Sequence, residues 1–271
     1  MKLLKRIFDF YLDASIHVAL SILSLLWVTS SILHIPTDKH LFSLVFFGSI
    51  ACYNFIKYGL EVKKYIRLAD RYHGYIQFFS FVCLGIAVYH LFFLEWNTIF
   101  MLGILGLFTG LYALPVLPKT RNLRSLAGFK IFPVAIVWAG TTVILPVVAE
   151  GLNLSWDVWV ETIQRFMLVL ALIIPFEIRD MAYDPPELKT LPRLYGVVKT
   201  KILGILLIFS FFFLTFLKDE TTQNEVLSKA FLFLGVVSIL MLTRKDQNTH
   251  FSAFWVEAIP FFWWVLIWIM E

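Results

Sequence analysis

The chain alternates long apolar runs with short stretches in which charge and proline concentrate. A helix needs about twenty apolar residues to cross a hydrocarbon core, and nine windows near that length can be drawn. They cover residues 14–34, 41–58, 75–94, 97–117, 129–149, 158–178, 201–217, 226–243 and 251–270. An open strand would leave backbone groups unsatisfied in lipid, so every window is expected to be helical. The pattern predicts an all-α polytopic membrane protein of about nine transmembrane helices, forming one domain over residues 1–271. Ahead of the first window, "MKLLKRIFDFYLD" sets Leu4, Phe8 and Tyr11 on one helical face and Lys2, Lys5, Arg6 and Asp9 largely on another. That is the pattern of a helix lying in the membrane interface over residues 1–13. The apolar run that follows is too long for a signal peptide and lacks a small-x-small cleavage site.

Composition agrees with a bilayer and excludes a soluble domain. Hydrophobic residues make up 59% of the chain and aromatics 17%, with a mean hydropathy of +0.79. The placement of charge says more than its net value of +4. Of the 23 Lys and Arg residues, nineteen fall at the N-terminus and in alternate loops, and Arg165 lies within the sixth window. Only Lys39, Lys218 and Lys229 fall on the opposite side. Basic residues stay cytoplasmic, so the N-terminus and the loops 59–74, 118–128 and 179–200 are expected inside and the C-terminus outside. The two cysteines, Cys52 and Cys83, sit in separate apolar runs and read as packing residues. No nucleic-acid motif accompanies the positive charge.

One interruption differs from an ordinary loop: "PFEIRDMAYDPPELKTLPRLYG", residues 175–196. Glu177, Asp180 and Asp184 are spaced three and four apart, which places all three carboxylates on one helical face. Pro185 and Pro186 then end the helix. Like charges this close repel unless a cation sits among them, and an all-oxygen, carboxylate-rich set suits Mg²⁺. The simpler reading is a solvated helix end whose acids are neutralised by Arg179, Lys189 and Arg193. Glu257, in the tryptophan-rich "FWVEAIPFFWWVLIWIM", is costly at that depth and is expected to face the bundle or a polar cavity. His17 and Asp13 read either as acceptor-pocket residues or as hydrogen-bonded packing.

The interruption resembles the second aspartate-rich motif of the UbiA-type intramembrane prenyltransferases. Glu177, Asp180, Asp184, Lys189, Thr190, Leu191, Pro192 and Gly196 match that pattern, acid-x-x-Asp-x-x-x-Asp followed by Lys-Thr-Leu-Pro and a glycine. A second stretch, "YALPVLPKTRNLRSLAGF", is similar to the family's diphosphate-holding loop at Tyr112, Pro115, Lys119 and Arg124. The first aspartate-rich motif is degenerate. At "NFIKYGLEV", Asn54 is retained, Phe55, Tyr58 and Val62 stand where acids belong, and Glu61 is the nearest carboxylate.

The resemblance implies a UbiA-like bundle in a bacterial-type inner membrane that ionises an isoprenoid diphosphate with Mg²⁺. The prenyl cation, held against aromatic faces, then passes to a lipophilic acceptor. It implies metal ligation by Glu177, Asp180, Asp184 and Glu61, and diphosphate binding by Asn54, Lys57, Tyr112, Lys119, Arg124 and Lys189. Asp180 and Asn54 are expected on opposing walls of one cavity. The missing first cluster leaves an alternative open, a UbiA-like protein impaired in catalysis that acts as a lipid-diphosphate-binding or scaffold subunit. A transporter is less well served, because inverted repeats and broken midplane helices are not evident.

Overall fold

The computed structural model describes residues 2–59, 71–114, 130–182, 190–248 and 250–271. The chain is an integral membrane protein built, among the described residues, entirely of helices. In chain order they are α1 (Lys2–Asp13), α2 (Ile16–Ile32), α3 (Lys39–Asn54), α4 (Arg71–Leu91), α5 (Trp96–Ala113), α6 (Ile131–Ala139) and α7 (Leu145–Ala149). There follow α8 (Trp156–Asp180), α9 (Leu191–Tyr195), α10 (Val197–Leu214), α11 (Gln223–Leu242) and α12 (Ile259–Met270). Three π-helical segments extend or join them: Phe55–Gly59 after α3, Gly140–Ile144 between α6 and α7, and Phe251–Val256 before α12.

Among the described residues eight helical stretches are long and apolar enough to cross a membrane, and the pair α1 and α2, bent by 58°, makes a ninth if it counts as one span. The bend falls at Ser15, whose backbone is left-handed with φ 59°, a conformation few residues other than glycine adopt. Below it α1 exposes Leu3, Leu4 and Ile7, while Phe8 packs on Phe254 and Phe10 on Phe79. An apolar flank left uncovered beside a packed one suits a helix lying along a lipid surface.

The central helix is α8, which packs against α6 and α10. Ser155 caps its start by accepting from the Val158 N–H at 3.4 Å. Its middle holds a buried ionic network. Glu161 accepts from Arg165 at 3.3 Å and from Lys229 of α11 at 2.8 Å. Lys229 also donates to Gln164 and Glu225, each at 2.8 Å, and Glu225 takes Lys218 at 2.7 Å. Arg165 further donates to the Leu25 carbonyl and to the Thr142 and Thr29 hydroxyls. Charges this deep persist only when paired and hydrogen-bonded, and here they tie α8 to α2 and α11. The network also revises the reading of Lys218 and Lys229 as loop cations, because both are buried against carboxylates inside the bundle.

Close approach of α5 to the π-helical turn after α6 depends on Gly140, where an added Cβ would meet Leu105 at 2.6 Å. The lipid-facing side is conspicuous on α4, where Phe78, Phe81 and Tyr89 are exposed. Cys83 is buried and Cys52 partly so, and both are free thiols.

Candidate functional site

Two cavities meet at the end of the bundle where α8 terminates. The first, about 240 Å³, is bounded by α2, α3, α5, α6, α8 and the lead-in to α12. Its polar lining comprises Ser21, Tyr53, Tyr112, Lys130, Glu177, Asp180 and Glu257. The second, about 380 Å³ and mainly apolar, lies between α3, α5 and α6. Tyr53, Tyr112, Val134 and Trp138 line both, so the two are adjacent. At this junction the Trp138 indole N–H donates to the Tyr53 hydroxyl at 2.6 Å, fixing both rings. Gly106, on α5, lines the apolar cavity, and a Cβ added there would meet nothing within 4 Å.

Glu177 and Asp180 occupy the last turn of α8, three residues apart, and both open into the first cavity. Glu177 is nearly buried and pairs at 2.8 Å with Lys130, immediately before α6. Asp180 accepts from the Arg179 Nε at 2.7 Å. Arg179 is itself held by the Ser252 hydroxyl at 3.2 Å and lies over the Phe176 ring. Arg193, just past α9's first turn, donates to the Met181 carbonyl at 2.8 Å and so secures the end of α8. The mouth of the cavity thus carries two carboxylates and two cations held at short distance.

No group of three His, Cys, Asp or Glu able to hold a metal occurs among the described residues. Mg²⁺ commonly takes one or two carboxylates and completes its shell with water and substrate phosphate. Glu177 and Asp180 on one wall fit a single such ion. Among the described residues nothing on the α3 wall supplies a second set.

The α3 residues are used elsewhere. Asn54 is buried, accepts from the Ser15 hydroxyl at 2.7 Å, and donates to the Ala14 carbonyl and the Ser80 hydroxyl at 3.0 and 2.8 Å. Lys57 donates to the Asp13 carbonyl and carboxylate at 3.2 and 3.4 Å, and the Tyr58 and Tyr72 hydroxyls also reach Asp13. Neither Asn54 nor Lys57 lines either cavity. Where an opposing wall to Asp180 was expected, these side chains instead clamp the α1–α2 bend. His17 is likewise engaged in packing, bonded to Tyr11 at 2.6 Å and to the Phe254 carbonyl at 2.9 Å.

Tyr112 lines both cavities. Glu61, Lys119, Arg124, Asp184 and Lys189 lie outside the described residues. Sequence reasoning missed Lys130, Ser21, Tyr53 and Trp138. For Lys130 a signal existed: it opens the fifth window and Glu177 closes the sixth, both on the same expected side, so the two had to lie at similar depth.

Solved structures with the same architecture exist. A structure of digeranylgeranylglyceryl phosphate synthase matches over 99% of this chain and 98% of its own, with a TM-score of 0.58 and 15% identity. A UbiA homologue from Archaeoglobus fulgidus, bound to GPP and Mg²⁺, matches over 96% and 98% with a TM-score of 0.59 and 11% identity. A further structure of a UbiA homologue from Archaeoglobus fulgidus gives 0.58 at 8% identity. No protein-family model and no curated protein sequence matches the chain. The fold is that of the UbiA-type prenyltransferases, carried by the course of the backbone with little residue identity.

Proposed function

We propose that the protein is an intramembrane prenyltransferase that binds an isoprenoid diphosphate with Mg²⁺ and transfers the prenyl group to a lipophilic acceptor. One observation carries this reading: Glu177 and Asp180 open into a cavity that adjoins a larger apolar one across the shared side chains of Tyr53, Tyr112, Val134 and Trp138. An amphipathic substrate with a highly charged head and a hydrocarbon tail needs that combination. The GPP and Mg²⁺ in the Archaeoglobus fulgidus homologue support it.

In this reading Glu177 and Asp180, with Asp184, hold a single Mg²⁺ ion. When bound, the ion would supply Lewis acidity to the diphosphate leaving group. Lys130 offers its ammonium to the same charge from the opposite side of the mouth, joined by Tyr112 and by Lys119, Arg124 and Lys189. Arg179 keeps Asp180 turned to the cavity. The tail lies between α3, α5 and α6, and the locked faces of Trp138 and Tyr53 flank the allylic carbon, where π-electrons favour a developing cation. The apolar lining excludes water that would otherwise capture that carbon. The mouth faces the cytoplasm, with the N-terminus on the same side.

The test is turnover of radiolabelled geranyl diphosphate by the purified protein in native lipid extract, with and without Mg²⁺. Label should enter a lipid-soluble product only with Mg²⁺, and Asp180→Asn should slow this by about a hundredfold or more. Label remaining wholly in diphosphate with the wild-type protein would refute the transferase reading.

A further inference from the structure

Asp180 is partly exposed at the last position of α8, where a carboxylate rotates freely unless a neighbour fixes it. Arg179 does so through Nε, bonded to Oδ1 at 2.7 Å, while Oδ2 makes no hydrogen bond among the described residues. A long side chain at a helix end has many rotamers of its own, so the orientation of Asp180 depends on what pins Arg179. Two further contacts pin it. The guanidinium lies over the Phe176 ring, 5.2 Å from its centre, and Nη1 donates to the Ser252 hydroxyl at 3.2 Å.

Ser252 is fully buried on the π-helical segment Phe251–Val256, and Gln247 fixes it in turn. The Gln247 amide nitrogen donates to the Ser252 hydroxyl at 3.3 Å and to the Pro175 carbonyl at 2.9 Å. Its oxygen accepts from the Arg244 N–H at 3.1 Å. A backbone N–H can only donate, so the Arg244 bond settles which end of the amide meets α8. Pro175 lies one turn before Arg179, and its carbonyl is the one that the Arg179 N–H takes in a regular helix. Gln247 therefore grips α8 at the turn that carries Arg179 and Asp180. The same segment is anchored to α2, where His17 bonds the Phe254 carbonyl at 2.9 Å and stacks on the Phe254 ring. The charge of the partners matters as well. Both Phe176 and Ser252 are uncharged, and a serine hydroxyl accepts two donors without bringing a charge. The positive charge of Arg179 thus stays with Asp180, whereas an acid at position 252 would divide it.

We infer that Gln247 and Ser252 are positioning residues: by fixing Arg179 they hold the Asp180 carboxylate in the orientation in which it takes a divalent cation. The inference rests on the reading of Glu177 and Asp180 as Mg²⁺ ligands, and it adds a second source for the geometry of the site, the segment that leads into α12. Neither residue lines either cavity, so neither touches the cation or the substrate. Groups that hold a ligating carboxylate in place account for about 10–100-fold in metal affinity. Their loss weakens capture of the metal and leaves the diphosphate's own contacts intact.

The experiment titrates Mg²⁺ into the full chain in lipid nanodiscs at a constant concentration of geranyl thiolodiphosphate. It reads the Mg²⁺ concentration that gives half-maximal binding of the analogue, with thermal unfolding followed in parallel. Ser252→Ala and Gln247→Ala should each raise that concentration by about tenfold. Affinity for the analogue at saturating Mg²⁺ should stay near the wild-type value in both. A half-saturation unmoved in the two variants would overturn the inference, even where the unfolding temperature falls, because the residues would then serve stability alone. A loss of analogue affinity that saturating Mg²⁺ does not restore would overturn it too, since that marks damage to the whole site. Gln247 lies on a partly exposed turn, so its variant decides the matter if Ser252→Ala does not fold. Wild-type binding that is equal with and without Mg²⁺ removes the metal reading and the inference with it, and the wild-type titration alone reveals that outcome.

Discussion

The Ser15 hydroxyl donates to the Asn54 side-chain oxygen at 2.7 Å, across 39 positions of sequence, and this bond holds the left-handed residue that bends α1 away from α2. The Asn54 amide nitrogen completes the clamp by donating to the Ala14 carbonyl and to Ser80 on α4. Asn54→Ala removes these bonds and leaves buried partners unsatisfied, a cost of about 2 kcal/mol or more. Thermal unfolding in detergent should show the loss, while Mg²⁺-dependent binding of a prenyl thiolodiphosphate stays near the wild-type value. Weakened diphosphate binding at unchanged stability would return Asn54 to the substrate site.

The ionic network of α8 and α11 leads to a second expectation. Removing one member leaves the others charged and buried with less compensation, so Lys229→Met, which leaves Glu161 to Arg165 alone and Glu225 to Lys218 alone, should destabilise the bundle by about 3 kcal/mol. Replacing Arg165, Lys218, Lys229, Glu161 and Glu225 together by apolar residues of similar size should recover much of that loss, because no buried charge is then left without its partner. Denaturation in mixed micelles reads both. A fivefold variant as unstable as the single one would mean that the network contributes more than mutual neutralisation.

Burial of Lys218 and Lys229 sharpens the charge asymmetry, because of the three basic residues assigned to the outer side only Lys39 is solvent-exposed. Thr221 and Asp246 lie just beyond opposite ends of α11, and both are exposed. In a background with Cys52 and Cys83 replaced by alanine, Thr221→Cys should label from outside intact cells with a membrane-impermeant maleimide, and Asp246→Cys only after lysis. The reverse pattern would invert the topology.

What the chain disclosed before its structure was known depended on how local the signal was. The spans follow from apolar runs within single segments, and the windows drawn over residues 41–58 and 158–178 fall inside the helical stretches Lys39–Tyr58 and Trp156–Asp180. Glu177 and Asp180 were legible for the same reason, since their shared face follows from a spacing of three. Asn54 and Lys57 were not. Their partners, Ser15 and Asp13, are brought to them only by packing of α3 against α2 and by a bend whose left-handed residue is a serine, not the glycine that would have announced it. Lys229 misled for a related reason: Glu225, four residues earlier, was visible as a partner, but Glu161 on another helix is what completes its burial. That the Ser21 hydroxyl has no hydrogen-bond partner among the described residues has no sequence signature at all, because it consists of a missing contact.

The central claim is that Asp180 belongs to a Mg²⁺-dependent diphosphate site, and calorimetry with geranyl thiolodiphosphate tests it most directly. The protein in nanodiscs should bind this non-transferable analogue with Mg²⁺ and lose affinity by about tenfold or more when Mg²⁺ is withheld, because an unscreened diphosphate then meets Glu177 and Asp180. Asp180→Asn should abolish the Mg²⁺ dependence. Binding equal with and without Mg²⁺ in the wild-type protein, or a Mg²⁺ dependence that survives Asp180→Asn, would contradict the account.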